Sequence, residues 1–196
     1  MGCLILAAGR SQRFGRTRIN KLLAPIAGRP MIQSVLQAAL RSSARPIVVV
    51  SGHQRSAIDR ALRPLRSRCW RLRFNRHHRR GMSSSIIAGL RALPDNLDGV
   101  LIALGDMPAL DPRVIDQLIH AFEASDDAVI ARSAGQRGNP VLIGRSLFAD
   151  LEALRGDIGA RRLLQQGSRK LRFIEADRSV IADIDTRRDW MRFIRR

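Results

Sequence analysis

Residues 4–21 read LILAAGRSQRFGRTRINK, and this stretch decides the fold. It opens with a short apolar run that ends at Gly9, a pattern typical of a buried β-strand that leads into a loop. Glycine lets a loop backbone approach a ligand closely, and the free N–H groups of such a loop bind anions. Lys21 adds a mobile positive charge that can follow a phosphate. The stretch therefore predicts a phosphate or nucleotide site directly after the first strand.

The composition is that of a folded, strongly basic protein. The chain has 196 residues, 45% hydrophobic and 27% charged, and we expect a single domain over residues 1–196. The formal net charge of +18 favours anionic partners such as nucleotides, phosphorylated substrates or nucleic acid. Apolar runs stay well short of the roughly 18 residues of a membrane span, so we expect a cytoplasmic protein with no membrane partner. Cys3 and Cys69 support neither a disulfide framework nor a zinc site.

Strand-like and helix-like segments alternate along the chain. Such alternation predicts an α/β fold, with a mostly parallel sheet covered by helices on both faces. Ligands of such sheets bind at the carboxyl ends of strands, where residues 51–53 and 105–106 join the first loop. Strands are predicted at residues 3–7, 46–51, 71–74, 99–104, 128–131, 141–143, 171–173 and 180–182, and helices at 31–42, 54–62, 83–93, 111–123, 145–154, 159–166 and from 187 onward.

Two acidic segments are candidates for metal binding. Asp106 directly follows the buried strand of residues 99–104, and Mg²⁺ prefers one or two carboxylates together with substrate phosphates and water. The alternative is that Asp106 only caps a turn, but a phosphate loop on a neighbouring strand favours the metal. If residues 180–182 form a strand, alternation places Asp183 and Asp185 on one side of its end, where one of them would be the second ligand. The alternative there is an N-cap for the last helix.

The segment before the third predicted helix combines positive charge with serines. Residues 71–80 hold the densest basic run, which is typical of a solvated face and otherwise of a loop that contacts phosphate. Residues 83–85 are all serine, and hydroxyl groups at a helix N-terminus either cap the helix or bind a ligand. The sequence by itself favours capping.

Seven short motifs in this order resemble the molybdenum cofactor cytidylyltransferases, within the larger MobA-like nucleotidyltransferase group. The resemblance covers nearly the whole chain, although no single motif would be specific. It implies a Rossmann-like nucleotidyltransferase fold and transfer of a nucleoside monophosphate. The motifs are LAAGxSxRFG at 6–15, KLLAP at 21–25, GMSSSIxxGL at 81–90, LGDMP at 104–108, GNPV at 138–141, GDxGAR at 156–161 and DIDT at 183–186.

The resemblance also implies roles for particular residues. Mg²⁺ would be held by Asp106 and Asp185, and the catalytic residues would be Lys21, Arg13 and Asp106. Residues 7–9, Ala-Ala-Gly, are similar to the cytidylyl members, which favours CTP over GTP. Nucleotide contacts are expected at Leu6, Ala7, Ala8, Gly9, Ser11, Arg13, Gly15, Lys21, Gly81, Ser85, Gly105 and Asp106, and contacts to a phosphorylated pterin at Asn139, Pro140, Asp157 and Gly159.

The implied reaction transfers CMP from CTP to the terminal phosphate of molybdopterin and releases pyrophosphate, and a molybdoenzyme apoprotein would receive the product. Two departures keep open a related transferase that uses GTP or another NTP with a different phosphorylated acceptor or a sugar phosphate. Five residues, 16–20, separate Gly15 from Lys21 where relatives have two or three, and Asn139 stands where these cytidylyltransferases often carry histidine.

A nucleic-acid-binding protein is a further alternative, suggested by the positive charge. Aromatic residues make up only 4% of the chain, which is few for base stacking, so no nucleic acid partner is expected.

Overall fold

The computed structural model describes residues 1–14, 20–165 and 168–195. Nine β-strands lie within these ranges, and the central ones are short and apolar, as expected of strands buried on both faces. They are β1 (Gly2–Ala7), β2 (Pro25–Ile26), β3 (Arg29–Pro30), β4 (Ile47–Ser51), β5 (Trp70–Phe74), β6 (Gly99–Leu104), β7 (Ala128–Ser133), β8 (Gln136–Gly144) and β9 (Leu171–Glu175).

Helices connect most of these strands. The helix Pro112–Ala121 shows why they begin where they do: Asp111 accepts a hydrogen bond from the Arg113 N–H at 2.8 Å, and Pro112 takes the first position, where no N–H is needed. Within the described residues, none of the helices is long and apolar enough to cross a membrane. The helices are α1 (Met31–Arg41), α2 (Arg55–Leu62), α3 (Met82–Leu90), α4 (Pro112–Ala121), α5 (Phe148–Ala153), α6 (Ala160–Leu163) and α7 (Arg187–Ile194), with 3₁₀ helices at Gln12–Phe14, Lys21–Leu23, Arg63–Leu65, His78–Arg80, Arg145–Leu147 and Arg178–Ile181.

Seven strands form one sheet, in the order β5, β4, β1, β6, β8, β7, β9. All neighbouring pairs are parallel except those of β8, which runs antiparallel to both β6 and β7. The register pairs Ala7 with Ser51 and Leu6 with Leu104, so the carboxyl ends of β1, β4 and β6 meet at one edge. The predicted mostly parallel sheet is confirmed.

Alternate residues of the central strands are buried on opposite faces of the sheet. Cys3, Ile5 and Ala7 of β1 belong to a core cluster with side chains of α1, α2 and α4. Leu4 belongs to a second cluster, with side chains of α3, α5 and α6. Because helices cover both faces, both sets of strand residues are apolar, and the predicted α/β architecture is confirmed.

The sequence predicts a strand over residues 180–182, and this prediction is wrong. Arg178–Ile181 form a 3₁₀ helix. The Asp177 carboxylate accepts a hydrogen bond from the Ser179 N–H at 2.8 Å and begins that turn. Such local bonds between side chain and backbone compete with strand pairing, and here they prevail over the strand propensity of valine and isoleucine.

β8 is longer than the predicted residues 141–143. Ala134 and Gly135, with φ of +49° and +78°, form a two-residue turn that pairs Ser133 with Gln136. Turns with positive φ at both central residues match the twist of a hairpin. Pairing with β7 thus extends β8 into polar residues that carry no apolar strand pattern.

The short hairpin of β2 and β3 lies beside the C-terminal helix. The two strands pair antiparallel, separate from the main sheet. The Trp190 Nε1–H of α7 donates a hydrogen bond to the Pro25 carbonyl oxygen at 2.9 Å. This bond joins the last helix to the segment that directly follows Lys21–Leu23.

Candidate active site

An open cleft of about 650 Å³ lies at the carboxyl ends of β1 and β6. The first loop, the turn before α3, and the segments after β6 and before α7 all contribute to its lining. Most of the residues predicted for the site are brought together there, although they come from widely separated motifs. The predicted residues in the lining are Leu6, Ala8, Gly9, Ser11, Arg13, Lys21, Gly81, Ser85, Asp106, Asp157 and Asp185.

Lys21 lies between two acidic residues from distant parts of the chain. Its Nζ is 2.6 Å from Oδ2 of Asp106 and 2.8 Å from Oδ1 of Asp185. The Arg13 Nη1 is 2.7 Å from the other carboxylate oxygen of Asp185. Two positive and two negative side chains therefore meet at this edge of the sheet, and they form what we call the Lys21 centre.

Hydrogen bonds in the first loop fix the backbone of Lys21. The Ser11 Oγ accepts a hydrogen bond from the Lys21 N–H at 3.0 Å and donates to Oδ1 of Asn20 at 3.1 Å. Asn20 is almost fully buried, and the same Oδ1 accepts from the Leu22 N–H at 3.1 Å, which caps the 3₁₀ helix Lys21–Leu23. The two ends of the loop are thereby tied together around Lys21.

Asp185 reaches the site from the C-terminal segment. The Ile184 N–H donates to the Asp106 carbonyl oxygen at 3.0 Å, which places the two segments side by side. Thr186, not an aspartate of the DIDT motif, is the N-cap of α7, and its hydroxyl accepts from the Asp189 N–H at 3.2 Å in a capping box. The alternative that the motif's aspartates cap this helix is therefore wrong, and the Asp185 carboxylate faces the cleft.

The electrostatics of the Lys21 centre favour an additional cation. Burial by itself would lower the pKa of Lys21, but the carboxylates of Asp106 and Asp185 outweigh burial, and the pKa is raised. Partial desolvation and the same two carboxylates raise the pKa of Asp183, which also lines the cleft. Oδ1 of Asp106 is buried and has no hydrogen-bond partner among the described residues. A hard divalent cation prefers carboxylate oxygens as ligands, and the free Oδ1 of Asp106 offers one.

The protein groups alone do not complete a metal site. Within residues 1–14, 20–165 and 168–195, no cluster of three or more His, Cys, Asp or Glu side chains could hold an ion. Two carboxylates are nevertheless sufficient for Mg²⁺ when substrate phosphates and water supply the other ligands. The donor set of Asp106 and Asp185 therefore fits a cation that binds together with a phosphate compound.

Two predicted contacts, Ala7 and Gly105, support the cleft from behind. Ala7 is fully buried in the core. The Gly105 N–H donates to the Leu6 carbonyl oxygen at 3.0 Å, and a Cβ at this position would come within 2.9 Å of the same oxygen. The close approach of these two backbones explains the need for glycine and leaves the adjacent Asp106 at the cleft.

The remaining predicted contacts lie on other elements. Asn139 and Pro140 lie on β8, and Gly159 is the N-cap of α6. Among the described residues, the lining of the cleft does not include any of these three. Gly15 lies outside the described residues.

Ser83, Ser84 and Ser85 lie within the first turn of α3 and do not cap it, contrary to the interpretation that the sequence favours. The N-cap is Gly81, with φ of +98°, and a Cβ there would lie 2.3 Å from the carbonyl carbon of Gly156. The Met82 N–H donates instead to Oδ1 of Asp157 at 3.2 Å, and the Ser83 hydroxyl donates to the Gly156 oxygen at 2.7 Å. The carboxylate of Asp157 thus satisfies a free N–H of the helix, and this contact holds it at the cleft.

Asn75 is a functional candidate that the sequence analysis missed. Its buried side chain donates from Nδ2 to the hydroxyl oxygens of Ser84 at 2.9 Å and Ser85 at 3.1 Å, and its Oδ1 accepts from the His77 N–H at 2.9 Å. Asn75 therefore positions both the predicted nucleotide contact Ser85 and the basic turn. The available signal was its place directly after β5, at the carboxyl end of a parallel strand.

The basic run of residues 71–80 is divided between two environments. Arg71 and Arg73 are exposed on the edge strand β5, which agrees with a solvated face. His78–Arg80 line the cleft, which agrees with the alternative of a loop near the ligand.

Known proteins resemble this chain in sequence and in fold. Residues 3–171 match the family of the MobA-like NTP transferase domain. The purine catabolism protein PucB of Bacillus subtilis is 28% identical over 190 residues, which are 93% of this chain and 90% of PucB. The bifunctional protein GlmU of Sorangium cellulosum is 32% identical over 146 residues, 74% of this chain, but the match spans only 31% of GlmU. A nucleotidyl transferase structure from Methanothermobacter thermautotroptrophicus has a TM-score of 0.84 and 27% identity, covering 99% of this chain and 95% of that one.

Proposed function

The chain belongs to the MobA-like NTP transferase domain family, and from that premise we propose that it transfers CMP from CTP to the terminal phosphate of molybdopterin. The family and the structural likeness show that the chain is a nucleotidyltransferase with a Rossmann-like fold. The observation that carries the proposal is the Lys21 centre, in which a lysine and an arginine meet two carboxylates beside a small-residue loop.

The choice of CTP and of a pterin acceptor is supported by sequence motifs. The Ala-Ala-Gly of residues 7–9 resembles the cytidylyl members, and Ala8 and Gly9 line the cleft. Of the residues proposed to bind the pterin, Asp157 lies at the cleft. Asn139, where relatives often carry histidine, lies on β8 outside the lining, and this favours a related acceptor as the second candidate.

In the proposed reaction an oxygen of the acceptor phosphate attacks the α-phosphorus of the nucleotide in line. The bond from this phosphorus to the bridging oxygen breaks, and pyrophosphate leaves with that oxygen and its electron pair. Lys21 and Arg13 exchange their carboxylate partners for phosphate oxygens and offset the charge that develops there. The backbone N–H groups of the first loop hold the triphosphate, so the protein contributes alignment and electrostatic stabilisation.

Asp106 and Asp185 would hold a divalent cation, Mg²⁺ in our proposal. When bound, such a cation supplies positive charge to phosphate oxygens and helps to orient them. The fit depends on the two carboxylates that already converge on one ammonium group and on the unpartnered oxygen of Asp106.

The test is pyrophosphate release from each of the four NTPs, with Mg²⁺ and with either molybdopterin or a panel of sugar phosphates as acceptor. We expect release that requires both CTP and molybdopterin. Asp106→Asn should abolish it, because this variant keeps the shape of the side chain and loses its charge. Release with another NTP or only with a sugar phosphate would replace our substrates with those of the second candidate.

A further inference from the structure

A short basic turn faces the cleft beside the first loop. His78–Arg80 form a single 3₁₀ turn between β5 and α3, and their side chains line the cleft together with Arg10. We propose that Arg10, Arg79 and Arg80 form a phosphate subsite distinct from the Lys21 centre. This inference rests on the proposed function and adds which residues bind the phosphate groups that are not at the point of transfer.

The turn is held in a fixed position by its backbone and by its neighbours. The His78 N–H donates to the Asn75 carbonyl oxygen at 3.3 Å, and the Arg80 N–H donates to the His77 carbonyl oxygen at 2.8 Å. The turn also packs against Gly52, the residue directly after β4, where a Cβ would lie only 2.5 Å from the Cβ of His78. The guanidinium groups therefore extend from a preorganised backbone, which reduces the entropy cost of binding an anion.

The positive charges of this turn lack counter-ions. Within the described residues, no carboxylate lies within 4.0 Å of the guanidinium groups of Arg10, Arg79 or Arg80. Burial, followed by the charges of Arg10, His78 and Arg79, lowers the pKa of the His53 side chain. The backbone N–H of His53 donates to the Ala8 carbonyl oxygen at 3.3 Å, which places this residue beside the first loop. The positive field is therefore concentrated at the small-residue loop, where the nucleotide phosphates are expected.

The Lys21 centre cannot by itself neutralise the substrates. Its two positive side chains, Lys21 and Arg13, are already paired with Asp106 and Asp185. A triphosphate and an acceptor phosphate bring several further negative charges into the cleft. Guanidinium groups suit these because their planar N–H pairs match two phosphate oxygens at once.

The experiment measures anion binding by the full chain without turnover. Isothermal titration with tripolyphosphate, at low ionic strength and without metal, compares the wild type with the double variant Arg79→Gln/Arg80→Gln. The matched control is Arg73→Gln/Arg76→Gln, which removes two charges that are also exposed and belong to the same segment but lie outside the cleft lining. We expect the Kd for tripolyphosphate to rise by about tenfold or more in the first variant, because charge-assisted hydrogen bonds are lost. In the control variant the Kd should rise by less than about twofold. Melting temperatures check that all proteins are folded.

A second titration with orthophosphate separates the two sources of phosphate. Weaker binding of tripolyphosphate assigns the subsite to the tail of the nucleotide. Unchanged binding of tripolyphosphate with weaker binding of orthophosphate assigns it to the acceptor. Unchanged binding of both anions, or an equal loss in the control, overturns the proposal. Neither titration depends on pyrophosphate release, so failure of the proposed reaction is recognised separately.

Discussion

At the scale of the residue, lysine is rare in this chain, and one of its lysines lies in the cleft. Lys21 and Lys170 are its only lysines, and only Lys21 lies between carboxylates in the cleft. The other side chains counted as positive in the net charge are arginines. This scarcity makes the contribution of a single ammonium group measurable with a control from the same chain.

We predict that Lys21→Ala lowers the rate of nucleotidyl transfer by about 10²–10³, the loss typical of removing one group that stabilises developing charge. The measurement is steady-state pyrophosphate release at saturating nucleotide. Lys170→Ala is the control, because Lys170 is exposed and absent from the cleft lining, and it should retain the wild-type rate. Wild-type turnover of Lys21→Ala would remove this residue from the mechanism.

The two cysteines should differ sharply in reactivity. Cys3 is buried in β1, and burial raises the pKa of its thiol to about 12, whereas Cys69 is exposed. Since the thiolate is the reactive form, a thiol reagent at pH 8 should label one cysteine in the folded protein and two after denaturation. Cys69→Ser should abolish the labelling of the folded protein. Equally rapid labelling of both thiols would contradict the buried position of β1.

At the scale of the element, the side chain of Asn75 joins the end of β5 to the start of α3 by two hydrogen bonds. We predict that Asn75→Ala lowers the free energy of unfolding by about 1–3 kcal/mol, since it leaves buried polar groups unpaired. It should also raise the KM for the nucleotide more than it lowers kcat, because Ser85 and the basic turn lose their common anchor. Denaturant unfolding and initial-rate kinetics measure the two effects. Asn96→Ala, an exposed control, should change neither.

The strands could be predicted from the sequence where they form because their residues are apolar and buried. β1, β4 and β6 are short apolar runs, and their predicted bounds agree with the structure to within one residue. The prediction failed at residues 180–182, where the Asp177 side chain organises a turn. A pattern of apolar residues indicates which segments are buried, but it gives no information on a local hydrogen bond such as the one from the Ser179 N–H to Asp177.

The site could be predicted only in part, for a related reason. Asp106 follows a recognisable buried strand, so its place at the edge of the sheet was readable from the sequence. The bond from Lys21 to Asp185 spans 164 positions, and residue spacing gives no information on such a contact. The family resemblance placed both residues in one site, but it did not predict that they pair with each other. Asn75 escaped notice because its importance lies in three partners that become neighbours only after β5 pairs with β4.

At the scale of the whole molecule, the net charge of +18 should govern how fast anionic substrates arrive. We predict that raising the ionic strength from about 0.1 M to 1 M, which shortens the screening length from about 10 Å to 3 Å, raises the KM for the nucleotide and leaves kcat nearly unchanged. Initial rates across a salt series measure this. A KM that stays constant would show that the surface charge has no part in substrate capture.

The family match ends at residue 171, but the carboxylate of Asp185 and the helix that follows it are part of the same working unit. Trp190 joins that helix to the hairpin that follows Lys21 in the chain. An affinity tag at the C-terminus would be attached next to this helix and would strain the segment that holds Asp185, whereas a tag at the N-terminus would extend from the opposite edge of the sheet. The position of the tag will therefore affect whether an assay measures the undisturbed site.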